Sequence, residues 1–304
     1  MNETKPVLRC GHIAIVGRPN VGKSTLLNRL LGTKLSITSR KPQTTRHAIL
    51  GVKTVDTTQF IYRDTPGLQN LQNKKIHRAM NRTVISTLQE VDVILFVVDS
   101  LIWNEGDENV LKSLGDATGN SSLTPVILVI NKVDRIEDKT RLLPHLEMLS
   151  KKRNFAAIIP LSAFDDKCVS LLEREIAPRL PQTTHLFSED ELTDRSERFL
   201  TSEIVREKII RQLGDEIPYE VAVEIESFQD MPHLVEIHAL ILVEKEGQKR
   251  IVIGSGGSRI KQIGEQARED IEALLQKKVL LKLWVKVKAG WSDDDRALKS
   301  LGLE

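Results

Sequence analysis

Eight consecutive residues, Gly17-Arg18-Pro19-Asn20-Val21-Gly22-Lys23-Ser24, have the spacing that can enclose a phosphate chain. Glycines let the backbone bend until its N–H groups surround phosphate oxygens, and a helix starting at Lys23 adds positive potential there. Lys23 would neutralise the outer phosphates and the Ser24 hydroxyl would ligate magnesium, with Thr25 beside it in the first helical turn. A glycine turn without function is the competing reading. It is disfavoured because an apolar strand precedes the segment and a helical pattern follows it.

The base is addressed by a second segment, Asn131-Lys132-Val133-Asp134, after the apolar run Val126–Ile130. A carboxylate at Asp134 can accept two hydrogen bonds from guanine, whereas adenine would leave it unpaired. Sites built on such bonds reject the wrong partner by factors on the order of 10⁴. Ser162-Ala163 ends the next apolar run and can offer a backbone N–H to the guanine oxygen. Asp64-Thr65-Pro66-Gly67 ends another, where Asp64 can hold magnesium through water and the Gly67 N–H can sense the terminal phosphate. Between these lies a polar, aperiodic stretch, Ser39–Arg46, in which a threonine would complete the metal shell. Together the residues predict binding of Mg²⁺ with GTP or GDP.

Residues so spaced need a scaffold that brings loop ends together. Candidate strands are Ile13–Val16, Phe60–Arg63, Val93–Val98, Val126–Ile130 and Ala157–Leu161, with helical patterns such as Lys23–Leu31 and Ile76–Glu90 between them. Alternating strand and helix implies a doubly wound α/β domain with a parallel sheet. The proline-broken tract Pro178–His185 interrupts this rhythm. The reading is a nucleotide domain over 1–180, a linker over 181–194 and a second domain over 195–304. The latter reads as a helix over 195–213 capped by Gly214, strands at Tyr219–Phe228 and Leu234–Glu244, and a helical turn at Lys249–Ile253. A helix from Ser258 and a strand at Val279–Lys288 complete it.

That α-β-β-α-α-β order, with Gly254-Ser255-Gly256-Gly257 opening the helix at Ser258, is the arrangement of a type II KH domain, an α+β fold whose G-x-x-G loop clamps a nucleic-acid backbone. No basic residue stands between these glycines, so attraction to phosphate would come from Arg250, Arg259, Lys261 and the helix terminus. A structural helix-entry turn is the alternative. In the last strand Leu281, Leu283, Val285 and Val287 face one way, and Lys282, Trp284, Lys286 and Lys288 the other. The second set suits RNA, and a solvated sheet face would carry the same pattern.

Composition narrows the field. Of 304 residues 40% are hydrophobic and 28% charged, with a formal net charge of +2, values of ordinary globular domains. Five lysines and no acid fall between Ala273 and Ser292. The two cysteines, Cys10 and Cys168, lack metal-ligand spacing and fit a reducing compartment. The N-terminal residues lack the apolar stretch of a secretory signal, and no apolar run could span a bilayer. The expectation is a cytoplasmic protein.

With Gln43–His47 reading Q-T-T-R-H between the phosphate loop and Asp64, the chain resembles the Era family of the translation-factor-related GTPases, and the resemblance runs through the second domain. It implies GTP hydrolysis to GDP and binding of 16S ribosomal RNA near its 3′ end. It further implies a monomer that assists assembly of the 30S subunit, with peripheral association to the inner membrane. It places Thr45 first and Thr44 second as the metal-binding threonine. Lys23, Thr45, Gly67 and Asn20 form the catalytic set. Asn20 resembles the asparagine that holds a potassium ion in some relatives; a loop residue satisfying its own backbone is the other reading. Leu68 occupies the position of the water-orienting glutamine of Ras-like enzymes. Two rivals are a tRNA-modifying GTPase, for which no second catalytic constellation is visible, and a membrane-associated switch whose second domain is a protein adaptor.

Overall fold

The computed structural model describes residues 7–39, 41, 44–67, 75–118, 124–213 and 221–302. The chain divides into two units. One comprises Met1–Ser36, Thr45–Gln72 and Met80–Asp194; the other comprises Ile37–Thr44, Asn73–Ala79 and Arg195–Glu304.

The first unit is built on a six-stranded sheet in the order β2-β3-β1-β4-β5-β6. Its strands are β1 (Arg9–Val16), β2 (Ile49–Val55), β3 (Thr58–Asp64), β4 (Val93–Asp99), β5 (Val126–Asn131) and β6 (Ala157–Pro160). Helices α1 (Lys23–Leu31), α2 (Lys75–Gln89), α3 (Glu105–Thr118), α4 (Leu142–Ser150) and α5 (Asp166–Ile176) follow the strands. Every residue of β5 and all but Asp99 of β4 are buried, which explains their uninterrupted apolar sequence.

The sheet is not wholly parallel. β2 pairs antiparallel with β3, while β1 pairs parallel with both β3 and β4. The sequence reading missed β2 because Gly51 breaks its pattern. A Cβ there would lie 2.5 Å from Leu31 Cδ1, so the glycine leaves room for the Leu31 side chain at the end of α1. With β1 between β3 and β4, a crevice opens at the carboxyl end of β1, where open α/β sheets take their ligands.

The proline-containing tract after α5 is bonded along this sheet. Leu186 and Phe187 donate backbone N–H groups to Gln59 Oε1 at 2.8 and 3.0 Å, and Val52 N–H reaches Leu192 O at 2.8 Å.

The second unit contains α6 (Glu197–Gln212), β7 (Val221–Asp230), β8 (Leu234–Val243), α7 (Glu246–Ile253), α8 (Ser258–Leu275), β9 (Lys278–Val287) and α9 (Asp295–Ser300). Its sheet runs β7-β8-β9, with β8 antiparallel to β7 and parallel to β9. The expected element order is therefore present, with α9 added. Gly214 lies outside the described residues. Val205, Ile209, Ile237, Ile241, Ile263, Ala267 and Ile271 form the centre of one core, with Leu281, Leu283, Val285 and Val287 packed against it.

α6 also buries charge. Arg206 Nε donates to Glu203 Oε1 at 2.7 Å and Arg206 Nη2 to Thr44 O at 2.5 Å, while Glu207 Oε1 accepts the Thr38 N–H at 2.9 Å. These bonds explain why Ile37–Thr44 groups with this unit. At the end of β8, Glu244 accepts the N–H groups of Gly290 and Ser292. They flank Trp291, which is fully buried. The Gly-Trp pair thus serves to fold the tail back onto the domain.

Candidate functional site

The loop from Gly17 to Gly22 leaves β1 and enters α1. Gly17 has φ 154° and Gly22 φ 102°. A Cβ on Gly17 would stand 2.3 Å from Val97 O, and one on Gly22 2.3 Å from Asn131 Nδ2, so neither position admits a side chain. Arg18 is held by Asp107 at 3.0 Å, a fully buried partner on α3 that sequence spacing did not reveal. Lys23 is buried, and its ammonium donates to the carbonyls of Gly17 at 2.9 Å and Arg18 at 3.0 Å. Desolvation pushes its pKa down to about 8, against the attraction of Asp64. An ammonium so placed gains when a phosphate supplies the missing negative charge.

Asp64 lies at the end of β3, fully buried. Its Oδ2 accepts from Ser24 Oγ at 2.7 Å and Ser36 Oγ at 2.8 Å, and Ser24 Oγ is 2.9 Å from Thr45 Oγ1. Its Oδ1 is buried without a hydrogen-bond partner among the described residues. Burial raises its pKa, opposed by the charge of Lys23 and by the neighbouring Ser24, Ser36 and Thr45 hydroxyls. One buried carboxylate with a free oxygen, beside two hydroxyls, is the hard donor set that suits magnesium completed by phosphate oxygens and water. Ser36 was missed because it follows no motif. Thr44, the second choice for this shell, turns its hydroxyl to Lys41 O at 2.7 Å.

Thr65 closes the β3 end by donating Oγ1–H to Ile15 O at 2.9 Å. Pro66 follows it. Gly67 approaches the phosphate loop so closely that a Cβ would lie 2.9 Å from the Pro19 nitrogen. Leu68 and Gln43 are outside the described residues.

Asn131 ties three loops together. Its Nδ2–H donates to Val21 O at 2.8 Å, while its Oδ1 accepts the N–H of Lys132 at 2.8 Å and of Ala163 at 3.1 Å. Lys132 Nζ reaches both Asp99 Oδ2 and Asn20 O at 2.6 Å. This lysine stem and the exposed Asp134 lie on the loop that leaves β5. Ser162 Oγ accepts the Phe164 N–H at 3.3 Å. Asn20 is exposed with φ 66°, and its carbonyl is already engaged by Lys132. Thr25 is half-buried on α1.

In the second unit, Gly254, Gly256 and Gly257 have φ of 75°, 57° and 79° between α7 and α8. A Cβ on Gly254 would sit 2.7 Å from Arg259 Cβ, whereas Gly256 and Gly257 face open space. Ser255, Gly256, Ser258 and Arg250 are exposed. Arg259 Nη1 donates to Ile251 O at 2.6 Å, and Lys261 lies 4.0 Å from Glu265. An anionic backbone could thus reach the loop amides with cations at its rim. On β9, Lys282 pairs with Glu236 at 2.7 Å and Trp284 meets His238 edge-on at 5.5 Å.

Fold and site define a P-loop GTPase domain followed by a KH domain. Residues 12–132 match the family model described as a 50S ribosome-binding GTPase, and residues 216–292 match that of the KH domain. The chain is 57% identical to GTPase Era of Azotobacter vinelandii over 295 residues, 97% of each chain. It is 54% identical to GTPase Era of Pseudomonas putida F1 over 302 residues, 99% of each. Among solved structures it is similar to an Aquifex aeolicus Era variant bound to GDP·AlF4⁻ (TM-score 0.92) and to Era with MgGDPNP and nucleotides 1506–1542 of 16S ribosomal RNA (TM-score 0.93). Each is 38% identical and covers 97% of this chain and 99% of its own. The chain belongs to the GTPase Era family, whose members bind and hydrolyse GTP.

Proposed function

We propose that this GTPase is a switch whose KH domain binds small-subunit ribosomal RNA near its 3′ end and assists small-subunit assembly. The observation that carries the enzymatic half is the buried Asp64 carboxylate, with one oxygen free and the Ser24 and Thr45 hydroxyls beside it. Ser24, Thr45 and Asp64 would hold Mg²⁺, which supplies charge stabilisation when bound. Gly17–Thr25 surround the phosphates, with Lys23 on the β- and γ-oxygens. The Gly67 N–H meets the terminal phosphate, so its neighbourhood changes when that phosphate leaves. Asp134 selects guanine, and the Ala163 amide meets its oxygen.

Potassium at Asn20 would supply the positive charge that other enzymes take from an arginine finger. The RNA half rests on the Gly254–Arg259 loop, in which Ser255, Gly256 and Ser258 are exposed, and on the 38%-identical relative holding a 16S fragment. Arg250, Arg259 and Lys261 flank the loop, and Ser255 to Ser258 face the RNA backbone. The domain assignment of 1–180, 181–194 and 195–304 belongs to this reading. So do a monomeric state, cytoplasmic location, contact with the 30S subunit and peripheral contact with the inner membrane. These rest on family membership alone, and co-sedimentation with 30S subunits and with anionic vesicles checks the two contacts.

The deciding experiment is sequencing of RNA crosslinked to the protein in its GTP-locked and GDP states. Enrichment of the 16S 3′ end at the Gly254–Arg259 loop supports the reading. Protein crosslinks in place of RNA would favour an adaptor.

A further inference from the structure

Arg18 is the second residue of the phosphate loop, and its side chain leaves that loop for the first turn of α3. Its Nε donates to Asp107 Oδ1 at 3.1 Å and to Oδ2 at 3.0 Å. Asp107 is fully buried and the Arg18 side chain is 16% exposed, so salt screens this pair little. The carboxylate has a second task. Its Oδ2 accepts the Asn104 N–H at 3.1 Å, while Asn104 Oδ1 accepts the Gly106 N–H at 2.9 Å. This exchange closes the start of α3 as a capping box does, and a cap alone is one use for Asp107. A cap needs a single oxygen. Here both oxygens also meet a side chain 89 residues earlier in the chain.

What the pair holds is backbone of the phosphate site. The Arg18 carbonyl accepts the Lys23 ammonium at 3.0 Å, beside the Gly17 carbonyl at 2.9 Å. The Arg18 stem lies along α3: a Cβ on Gly106 would stand 3.4 Å from Arg18 Cδ and 3.5 Å from its Cβ. On the other side, the Pro19 nitrogen is only 2.9 Å from where a Cβ on Gly67 would be. The turn at Arg18 and Pro19 is therefore gripped from two directions, by α3 and by the end of β3. The grip from α3 is the ionic one. Burial raises the Asp107 pKa, opposed by the Asn104 N–H and by Arg18, so a charged Asp107 depends on keeping its partners.

We propose that Asp107 is a positioning residue of this GTPase: through Arg18 it fixes the phosphate loop before nucleotide arrives, so that the Arg18 carbonyl already aims Lys23 at the phosphates. A loop set in its bound conformation spares the nucleotide the cost of ordering it, which appears as affinity. The pair also settles a charge. The Arg18 guanidinium works against the Lys23 ammonium, and Asp107 neutralises it from α3, outside the loops that would meet the nucleotide. The loop surrounds phosphates that GTP and GDP share, so the gain is the same for both. Binding that is equal in ground and transition states lowers KM and leaves kcat alone.

This inference rests on the phosphate loop assigned above, and its test separates the two. Asp107→Asn keeps an oxygen for the cap and removes the charge from Arg18. GDP and GTP titration should show Kd raised about tenfold, about 1.4 kcal/mol, by the same factor for both nucleotides. KM for GTP should rise with it while kcat stays within twofold. Arg18→Ala should cost as much, and Arg18→Ala with Asp107→Asn no more than either alone, because the two act as one unit. Melting without nucleotide is the fold control. Affinity within twofold of the parent in folded Asp107→Asn, or losses that add in the double variant, overturns the proposal. Should the single variants not fold, Arg18→Met with Asp107→Leu leaves no buried charge alone. Apolar contact is non-directional, so the tenfold loss should persist there; parent affinity would make the pair a matter of stability only and overturns the proposal as well. Lys23→Ala tests the loop itself. Lost GDP binding in Lys23→Ala with an unaffected Asp107→Asn removes only the positioning role, whereas undiminished binding in Lys23→Ala removes the phosphate site.

Discussion

Replacing Asn131 by alanine should loosen the nucleotide site at three points at once. The side chain is 2% exposed, and it alone joins Val21 O, the Lys132 N–H and the Ala163 N–H. Each bond is worth about 1 kcal/mol net, and more where a buried group is left without a partner. The three together come to about 3 kcal/mol. If the loops stay ordered in the free variant, that loss falls on the stability of the first unit and lowers its melting temperature by about 6–12 °C. If they disorder, bound nucleotide must order them, and Kd for GDP rises by about 150-fold. The two losses trade against one another, so their sum is the quantity to measure. Calorimetric titration with GDP and melting curves with and without nucleotide give both terms. An Asn131→Ala protein with Kd within threefold of the parent and unchanged melting would refute the idea that this amide ties the loops.

Nucleotide affinity should fall as pH rises through about 8, because burial depresses the Lys23 pKa to that value and only the charged ammonium meets phosphate. Binding near pH 8 should then take up protons, read by calorimetry in two buffers of different ionisation heat; no uptake would contradict it. In the nucleotide-free protein the sign for stability is opposite. The unfolded chain keeps this proton up to about 10.5, so the Lys23 contribution to stability rises with pH between about 8 and that value. Potassium should stimulate GTP hydrolysis more than sodium at matched ionic strength, and Asn20→Ala should abolish the difference; equal rates in the parent would exclude an ion at Asn20. Replacing Ser255 and Gly256 together by aspartate should lower affinity for single-stranded RNA tenfold or more, about 1.4 kcal/mol, with GTP binding nearly unchanged. Gly256 has φ 57° and open space where a Cβ would stand, a conformation aspartate tolerates better than most residues, so melting should move little; undiminished RNA binding would make this loop a structural turn.

Much of this protein could be read in its residues because phosphate and guanine binding depend on short segments with local geometry. Gly17 to Ser24, Asp64 to Gly67 and Asn131 to Asp134 each end a strand, and strand alternation brings strand ends to one edge. The KH order was readable for the same reason, each element carrying its own periodicity. What local sequence could not show are the partners that fold brings in from afar. Asp107 reaches Arg18 from α3 and Ser36 reaches Asp64 from an aperiodic stretch. Arg206 and Glu207 hold Thr44 and Thr38 by buried charge that a helical pattern records only as polar. β2 was hidden because its glycine answers to Leu31 rather than to strand propensity. The sequence determined which chemistry the chain carries, since that is a matter of residue type and spacing. The tertiary structure decided which buried groups hold that chemistry in place, because a buried polar atom must find a partner wherever the fold supplies one.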